Sequence, residues 1–470
     1  MVRKMASTTD PSIVNPTSIP TTSSAGHSGD QSKPYKIHTR LLFSSTTKSF
    51  LKNITLIISP ASGLITSVTH RGFDPFPTSP GDIDLRHLTV LPGLVDAHAH
   101  MFLHSYSETP SISQERDESL VERTLRAANH CRTALLAGYT TYRDLGTEGA
   151  GNADVHVRDA INRGIIPGPR IFCATDPLAS SAGYEVRIES RPRTEVNRLA
   201  DPCDGPVECR AAVRRRLGAG ADVVKIYADY RRRELRWPQP KWPGCRDVIF
   251  PPGGQEDADP EKRRIGDARN PNLPLFTQEE MNVMVDEARR GRAPVACHAS
   301  EPEAVIMAAD AGATTVEHGF VRSDDAVKAM KKNGTIFVPT LSVCELYASA
   351  EMMKTIFQQT KTAFDEGVKI AAGGDTGAFP HGENVREVEL LVDAGLPVEE
   401  ALTATTLHGW DACGGDWCGR RFGSLEEGWA ADLIAVEGDP REDITALRKV
   451  SWVIKDGRVW KRDGKAIGML

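Results

Sequence analysis

The sequence predicts an α/β protein: a (β/α)8 TIM barrel carrying a small β-sandwich domain formed by its N- and C-terminal segments. Three observations lead there. From about Thr89 to Cys413, short apolar runs alternate with amphipathic stretches of helical spacing. Those apolar runs are hydrophobic along their length, not at every second residue, as parallel strands covered on both faces are. Runs of β character without intervening helices are confined to the two ends of the chain.

The elements follow in order. Residues 1–34 are rich in Ser, Thr and Pro. Such a segment cannot bury enough apolar surface to offset its ordering entropy and is expected to be disordered. Residues 35–90 hold the short runs Thr39–Phe43, Ile54–Ile58 and Leu64–Val68, broken by Ser, Pro and Gly. Residues 420–470 hold Asp432–Val436, Val450–Ile454, an Asp456-Gly457 turn and Arg458–Trp460. Asp-Gly between two such runs signals a hairpin, and the two ends are expected to pair into the β-sandwich.

Residues 91–419 are assigned to the barrel. Its strands are expected at Val90–His98, Thr140–Asp144, Arg170–Ala174, Val223–Tyr227, Val295–His298, Thr315–His318, Ile336–Pro339 and Lys369–Asp375. Eight is the number that closes such a barrel. Helices are expected at Ser119–Ala137, Val207–Leu217, Gln278–Arg290, Glu303–Ala311 and Asp324–Lys332. One stretch, 237–275, breaks the alternation with Trp237-Pro238, Trp242-Pro243 and Pro251-Pro252-Gly253-Gly254. Placed after the fourth strand, it reads either as a lid over the catalytic face or as a disordered surface insertion.

Composition narrows the function. Hydrophobic residues make up 40% and charged residues 26% of 470, enough for a large core. A net charge of -6 offers no general attraction to nucleic acid or an anionic membrane, and neither is expected as a partner. The run Tyr230-Arg231-Arg232-Arg233 reads as a solvated face. The basic start, Met1 to Met5, lacks a following apolar region, so no secretory signal is expected there. No run of about 18 apolar residues occurs, so no membrane span is expected. Nine cysteines, an odd number without a CxxC, suit free buried thiols in a reducing compartment, and the location is read as cytoplasmic. A small-molecule substrate is the expected partner. A homo-oligomer is compatible with the chain, though no residue pattern requires one.

The chemistry concentrates at strand ends. In His98-Ala99-His100, residues i and i+2 of a strand face one side, so the two imidazoles converge as ligands of one metal would. Lys225, His298, His318 and Asp375 each end a predicted strand, and barrel active sites are built on that rim. Imidazole and carboxylate together suit zinc or a similar divalent ion. An ammonium has no lone pair to donate, but burial lowers a lysine pKa. A neutral Lys225 amine can add carbon dioxide and become a carbamate, an oxygen ligand able to bridge two ions. Two ions about 3.5–4 Å apart activate water and polarise a carbonyl.

These residues resemble the amidohydrolase superfamily, specifically its imidazolonepropionase-like branch that includes Xaa-Pro dipeptidases and ochratoxinase. The motifs are Pro92-Gly93-Leu94-Val95-Asp96-Ala97-His98-Ala99-His100, Lys225-Ile226-Tyr227-Ala228-Asp229-Tyr230, Cys297-His298-Ala299, Val316-Glu317-His318-Gly319 and Gly373-Gly374-Asp375-Thr376. The resemblance runs from about Tyr35 to Trp460. It implies that His98 and His100 bind a first metal ion, that His298 and His318 bind a second, and that Lys225, N6-carboxylated by CO2, bridges both. It implies that Asp375 touches the first ion and acts as general base, taking a proton from the bridging water and passing it to the leaving nitrogen. Tyr184, Tyr227, Tyr230 and His381 are candidate substrate contacts. The expected reaction is hydrolysis of a C–N bond in an amide, N-acyl amino acid, dipeptide or cyclic amide. A lactonase or esterase on the same site and a non-catalytic barrel relative are the alternatives. Two loops, Ser180–Glu185 and Tyr227–Tyr230, depart from the family pattern, so no dipeptidase or toxin-hydrolase specificity carries over.

Overall fold

The computed structural model describes residues 33–72, 77–181, 183–184, 198–231 and 272–468. The tail read as disordered, apart from Lys33 and Pro34, lies outside these residues, as does the 237–275 insertion up to Pro271.

The chain begins with β1 (Tyr35–Ser44), β2 (Ser49–Lys52), β3 (Ile54–Ser59), β4 (Leu64–His70) and β5 (Ile83–Pro92). At Gly93 it changes partners and enters β6 (Leu94–Ala99). Gly93 N donates to the Asp432 carbonyl at 2.8 Å, while Leu94 N donates to that of Gly138 at 3.0 Å. A Cβ at Gly93 would lie 2.2 Å from Thr140 Oγ1, so the close crossing requires glycine. The single strand expected over Val90–His98 is therefore two strands in two sheets. Its continuous apolar run concealed the break.

Next come α1 (Ser111–Asp117), α2 (Leu120–Leu136), β7 (Tyr139–Asp144), α3 (Ala153–Asn162), β8 (Arg170–Cys173), β9 (Leu178–Ala179), β10 (Asp201–Pro202), α4 (Gly205–Gly218) and β11 (Val224–Tyr227). The antiparallel pair β12 (Asp229–Arg231) and β13 (Asn272–Pro274) brackets the insertion. Then follow α5 (Gln278–Arg290), β14 (Val295–Ala299), α6 (Pro302–Ala311), β15 (Thr315–His318), α7 (Asp324–Asn333), β16 (Ile336–Val338), α8 (Leu341–Tyr347) and α9 (Ala350–Asp365). The helices α10 (Val385–Asp393), α11 (Val398–Ala404) and α12 (Leu407–Ala412) precede β17 (Leu433–Val436), β18 (Val450–Lys455), β19 (Arg458–Arg462) and β20 (Lys465–Ala466).

The helices start where the sequence supplies caps. Ser119 accepts from the Glu122 amide at the head of α2, which buries Ala127, Cys131, Ala134 and Leu135 along one stripe. Removing such a cap costs about 1 kcal/mol. Thr277 and Glu280 form a reciprocal capping box at the head of α5. Among the described residues, no helix is long and apolar enough to cross a membrane. Their eight cysteines are free thiols, all buried except the half-buried Cys418.

The two ends of the chain meet in one nine-stranded sheet, ordered β20-β19-β18-β17-β5-β1-β3-β4 with β2 on the edge of β1. The segments expected to form a sandwich are thus hydrogen-bonded as a single mixed sheet around Ile37, Leu56, Ile58, Leu85, Val90, Leu433 and Ile454. Two parallel ladders carry the rest: β6-β7-β8, and β9-β11-β14-β15-β16 with β10 at its edge. Individual hydrogen bonds cross the gaps between them. Asp222 N and Val223 N donate to the Cys173 carbonyl at 2.8 and 3.2 Å. Phe337 N donates to the Lys369 carbonyl at 2.8 Å, and Ala97 N to that of Ala372 at 2.9 Å.

The eighth expected strand, Lys369–Asp375, is therefore present as a chain segment but not as a ladder, with isolated bridges at Phe337–Ile370 and Ala99–Thr376. Its glycines explain the irregularity: a Cβ at Gly373 would lie 2.5 Å from His98 N, so the backbone presses directly onto β6.

Candidate active site

The C-terminal ends of β6, β11, β14 and β15 and the segment ending at Asp375 open onto one cavity of about 610 Å³. His98, His100, Lys225, His298, His318 and Asp375 all line it, together with Tyr184, Tyr227 and Tyr230. His381 does not line it. Its Nε2 faces the Leu103 carbonyl at 3.0 Å, and its ring stacks on His130 at 4.2 Å. The structure therefore places His381 as a packed, hydrogen-bonded side chain outside the cavity lining.

The rim backbone is held in uncommon conformations. Glu148, Thr175, His318, Thr340 and Asp375 have φ of 51°, 61°, 76°, 50° and 64°. Each follows or ends a strand of the parallel ladders or the eighth segment. A non-glycine residue in this region costs on the order of 1–3 kcal/mol and persists only where surrounding contacts fix it. At Asp375 those contacts are clear, since its own amide donates to the His98 carbonyl at 3.0 Å.

Whether these residues suit a metal ion depends on which imidazole nitrogens are free. His98 Nδ1 lies 2.9 Å from Glu317 Oε2, His100 Nδ1 2.9 Å from the Gly146 carbonyl, and His318 Nδ1 2.9 Å from Thr340 Oγ1. A carboxylate or carbonyl can only accept, so His98 and His100 carry a proton on Nδ1, and Nε2 is the ring nitrogen left to a ligand. Those Nε2 atoms lie 3.6 and 3.2 Å from Asp375 Oδ1. Ligand atoms of His98, His100 and Asp375 fall within 4.8 Å of one another, a spacing one divalent ion can draw together. His298 differs, because its Nε2 faces Asp229 Oδ1 at 3.6 Å, which leaves Nδ1 for any further ligand. The His298 and His318 rings are 4.5 Å apart, and His318 is 5.1 Å from His98. The donor set therefore fits divalent ions.

Electrostatics point the same way. Burial depresses the imidazolium of His98 to about 4 and drives those of His298 and His318 well below their ordinary value, so these rings are neutral. Burial works to lower His100 too, but the adjacent Asp375 carboxylate raises it to about 9. Burial would raise Asp375, yet the His98, His100 and His318 imidazoles hold it well below the usual carboxylate range. The Lys225 ammonium is lowered by burial, against the pull of Glu317 and Asp375. A cation entering here would meet the neutral imidazoles of His98, His298 and His318 and an ionised carboxylate, and would take the place of the proton that Asp375 holds on His100.

Aromatic rings form one wall of the cavity. Tyr184 stacks on Tyr227 at 4.1 Å, and Tyr230 stands edge-on to both, at 5.0 Å from Tyr184 and 5.6 Å from Tyr227. Tyr227 and Tyr230 also flank His298, at 4.7 and 5.7 Å. The α8–α9 region adds Val343, Cys344, Tyr347, Met352 and Ile356.

Several residues of the site escaped the sequence reading. Glu148 lines the cavity and accepts from Tyr184 Oη at 2.6 Å. Glu317 backs His98 and itself accepts from Arg143 Nη2 at 2.9 Å. Asp96 accepts from the His98 amide at 2.9 Å, from Thr376 Oγ1 at 2.8 Å and from Asn384. For Arg143, Glu317 and Asp96 a signal existed, namely a charge inside an otherwise apolar strand run, which is rarely tolerated without a partner. Glu148 carried no such signal.

A model of the amidohydrolase family matches residues 89–233 and 268–460. Ochratoxinase of Aspergillus niger is 28% identical over 413 residues, spanning 80% of this chain and 76% of that protein. Imidazolonepropionase of Porphyromonas gingivalis is 23% identical over 394 residues, spanning 80% of this chain and 82% of that protein. The crystal structure of a Xaa-Pro dipeptidase with methionine bound in its active site aligns with a TM-score of 0.72 at 30% identity, covering 91% of this chain and 100% of that one. Family and structural neighbours together imply a (β/α)8 barrel beside a β-rich domain. The family match begins within β5, takes in every strand end that faces the cavity and stops within β19; on that match the chain belongs to the amidohydrolase family.

Proposed function

We propose that the protein is a binuclear metal-dependent hydrolase that cleaves the C–N bond of an amide, whether N-acyl amino acid, dipeptide or cyclic amide. The family and the relatives named above support the coarser statement, a hydrolase acting on amide bonds. Metal dependence is supported by a single observation: Nε2 of His98 and of His100 converge on Asp375, with the opposite ring nitrogens already tied to protein acceptors.

In this reading His98, His100 and Asp375 would hold one ion and His298 and His318 another, and Lys225, its neutral amine having added carbon dioxide and released a proton to solvent, would offer carbamate oxygens as further donors. Zinc suits this nitrogen and oxygen donor set. When bound, the two ions supply Lewis-acid activation of water and of the scissile carbonyl. Asp375 accepts the proton from the attacking water and delivers it to the leaving nitrogen, which completes cleavage with no net proton change at the carboxylate. The Tyr184, Tyr227 and Tyr230 wall packs against the substrate and excludes water. The hydrogen bonds across both gaps support reading the parallel ladders and Lys369–Asp375 as one closed barrel, 91–419, beside a domain of 35–90 and 420–470. The free buried thiols suit a cytoplasmic location.

The test is metal content by elemental mass spectrometry on the purified protein and on Lys225→Ala. Near two divalent ions per chain, falling sharply in the variant, is the expected result. No metal in either preparation after reconstitution with zinc and bicarbonate would overturn the mechanism.

A further inference from the structure

We propose that Glu317 and Arg143 are positioning residues for the first metal position, holding His98 in the one tautomer that can bind an ion there. The inference rests on the metal reading above and concerns residues that never reach the cavity. Neither lines it, and the side chains of Arg143, Glu317 and His98 are 0%, 0% and 1% exposed.

The geometry is directional. Glu317 Oε2 accepts from His98 Nδ1 at 2.9 Å, which fixes the proton on Nδ1 and leaves the Nε2 lone pair facing Asp375. Glu317 Oε1 accepts from Arg143 Nη2 at 2.9 Å and from the Thr315 hydroxyl, so the carboxylate is saturated with donors and cannot rotate away. Arg143 is clamped in turn: its Nε donates to the Ala97 carbonyl at 2.5 Å, and its Nη1 to Thr315 Oγ1 at 2.9 Å and the Ala412 carbonyl at 3.1 Å. The chain therefore runs from α12 and β7 through β15 to the ligand on β6.

His98 is distinguished from the other three histidines by this support. His100 leans on a neutral carbonyl, His318 on a hydroxyl, and His298 approaches a carboxylate only at 3.6 Å. Disturbing Glu317 should therefore act on one metal position and spare the other.

Glu317→Gln is the discriminating substitution, because it keeps the shape and changes only which atoms can accept. The amide carbonyl will turn toward the charged Arg143 donor, and its NH2 will face His98 Nδ1. His98 must then accept at Nδ1 and carry its proton on Nε2, where no ion can be bound. Zinc is titrated against a competing chelator, and bound zinc is counted by elemental mass spectrometry. Wild type is expected to hold two ions and Glu317→Gln one, with affinity for the lost ion reduced about 10–100-fold. The unfolding midpoint of the metal-free proteins should be similar, showing that the variant is folded.

The double variant Glu317→Gln with Arg143→Met separates positioning from bracing. Without the guanidinium, the amide NH2 can donate to Thr315 Oγ1 and the carbonyl can again accept from His98 Nδ1–H. Part of the zinc affinity should return. A mere brace between β7 and β15 would instead be weaker in the double variant than in the single one. Unchanged zinc competition in Glu317→Gln, or no recovery in the double variant, would overturn the proposal. A wild-type protein that binds no zinc would instead remove the reading on which it rests.

Discussion

The Tyr184 hydroxyl donates to Glu148 Oε2 at 2.6 Å while its ring lies nearly parallel to that of Tyr227. One side chain thus joins the aromatic wall of the cavity to a buried carboxylate beside His100. Tyr184→Phe keeps the stack and removes the donor, leaving a buried carboxylate oxygen short of a partner. A loss of about 1–3 kcal/mol in unfolding free energy is predicted, measured by urea denaturation. An unchanged midpoint would mean that Glu148 finds another donor.

Asp375→Asn should retain the shape of the site and lose the proton acceptor. Turnover is predicted to fall by roughly 10²–10⁴-fold, the range for a positioned acid–base group, with zinc still bound. Steady-state kinetics paired with metal analysis checks this. Undiminished turnover would remove Asp375 from the role of base.

Gly373→Ala tests how closely the eighth segment presses on β6. The added Cβ would sit 2.5 Å from the His98 amide nitrogen and 2.8 Å from the His98 Cβ, closer than real contacts allow. Displacement of His98, with reduced zinc affinity and about 1–3 kcal/mol lower stability, is the predicted result. Thermal unfolding together with zinc titration reads both. Wild-type values would show that the segment can move aside without cost.

The two parts of the chain are pinned by Arg170, whose Nη1 donates to Asp432 Oδ2 at 2.7 Å and whose Nη2 donates to Asp456 Oδ1 at 2.7 Å. Although burial works to raise Asp456, Arg170 and the neighbouring Lys455 and Arg420 hold it at about 2. That lies below the ordinary carboxylate value, so the contribution is full above about pH 4 and is lost as the pH falls toward about 2. Arg170→Ala should lose stability at neutral pH and show a shallower decline through that acid window. Parallel acid-denaturation curves for the two proteins would reveal a mistaken assignment.

Much of the architecture was legible because periodicity reports burial. The helices beginning near Ser119, Gln278 and Asp324 lie within two residues of their predicted limits, since cap residues and apolar stripes are local properties. The ligand candidates were legible because chemistry-bearing residues ended apolar runs. The boundary at Gly93 was not, because both sides of it are equally apolar and only the approach of Thr140 forces the break. The irregular eighth segment was hidden for the same reason: Ile370 to Ala372 reads as a strand, and the pressure of Gly373 on β6 is tertiary. His381 sits in a motif-like loop but is absorbed by His130 and Leu103, partners that no local pattern announces. Glu317 and Arg143 required a pairing across two strands distant in sequence.

The break at Gly93 has a consequence for how the enzyme comes into being on the ribosome. β5, immediately ahead of the strand carrying His98, is flanked by β17, with Leu433 opposite Pro92 and Ile434 opposite Leu91. β17 follows every candidate ligand in the chain, whereas the other neighbour of β5, β1, precedes it, so one flank of β5 stays open while the ligand-bearing strands are made. A chain stopped before Leu433 would carry every candidate ligand, with β5 held by β1 alone.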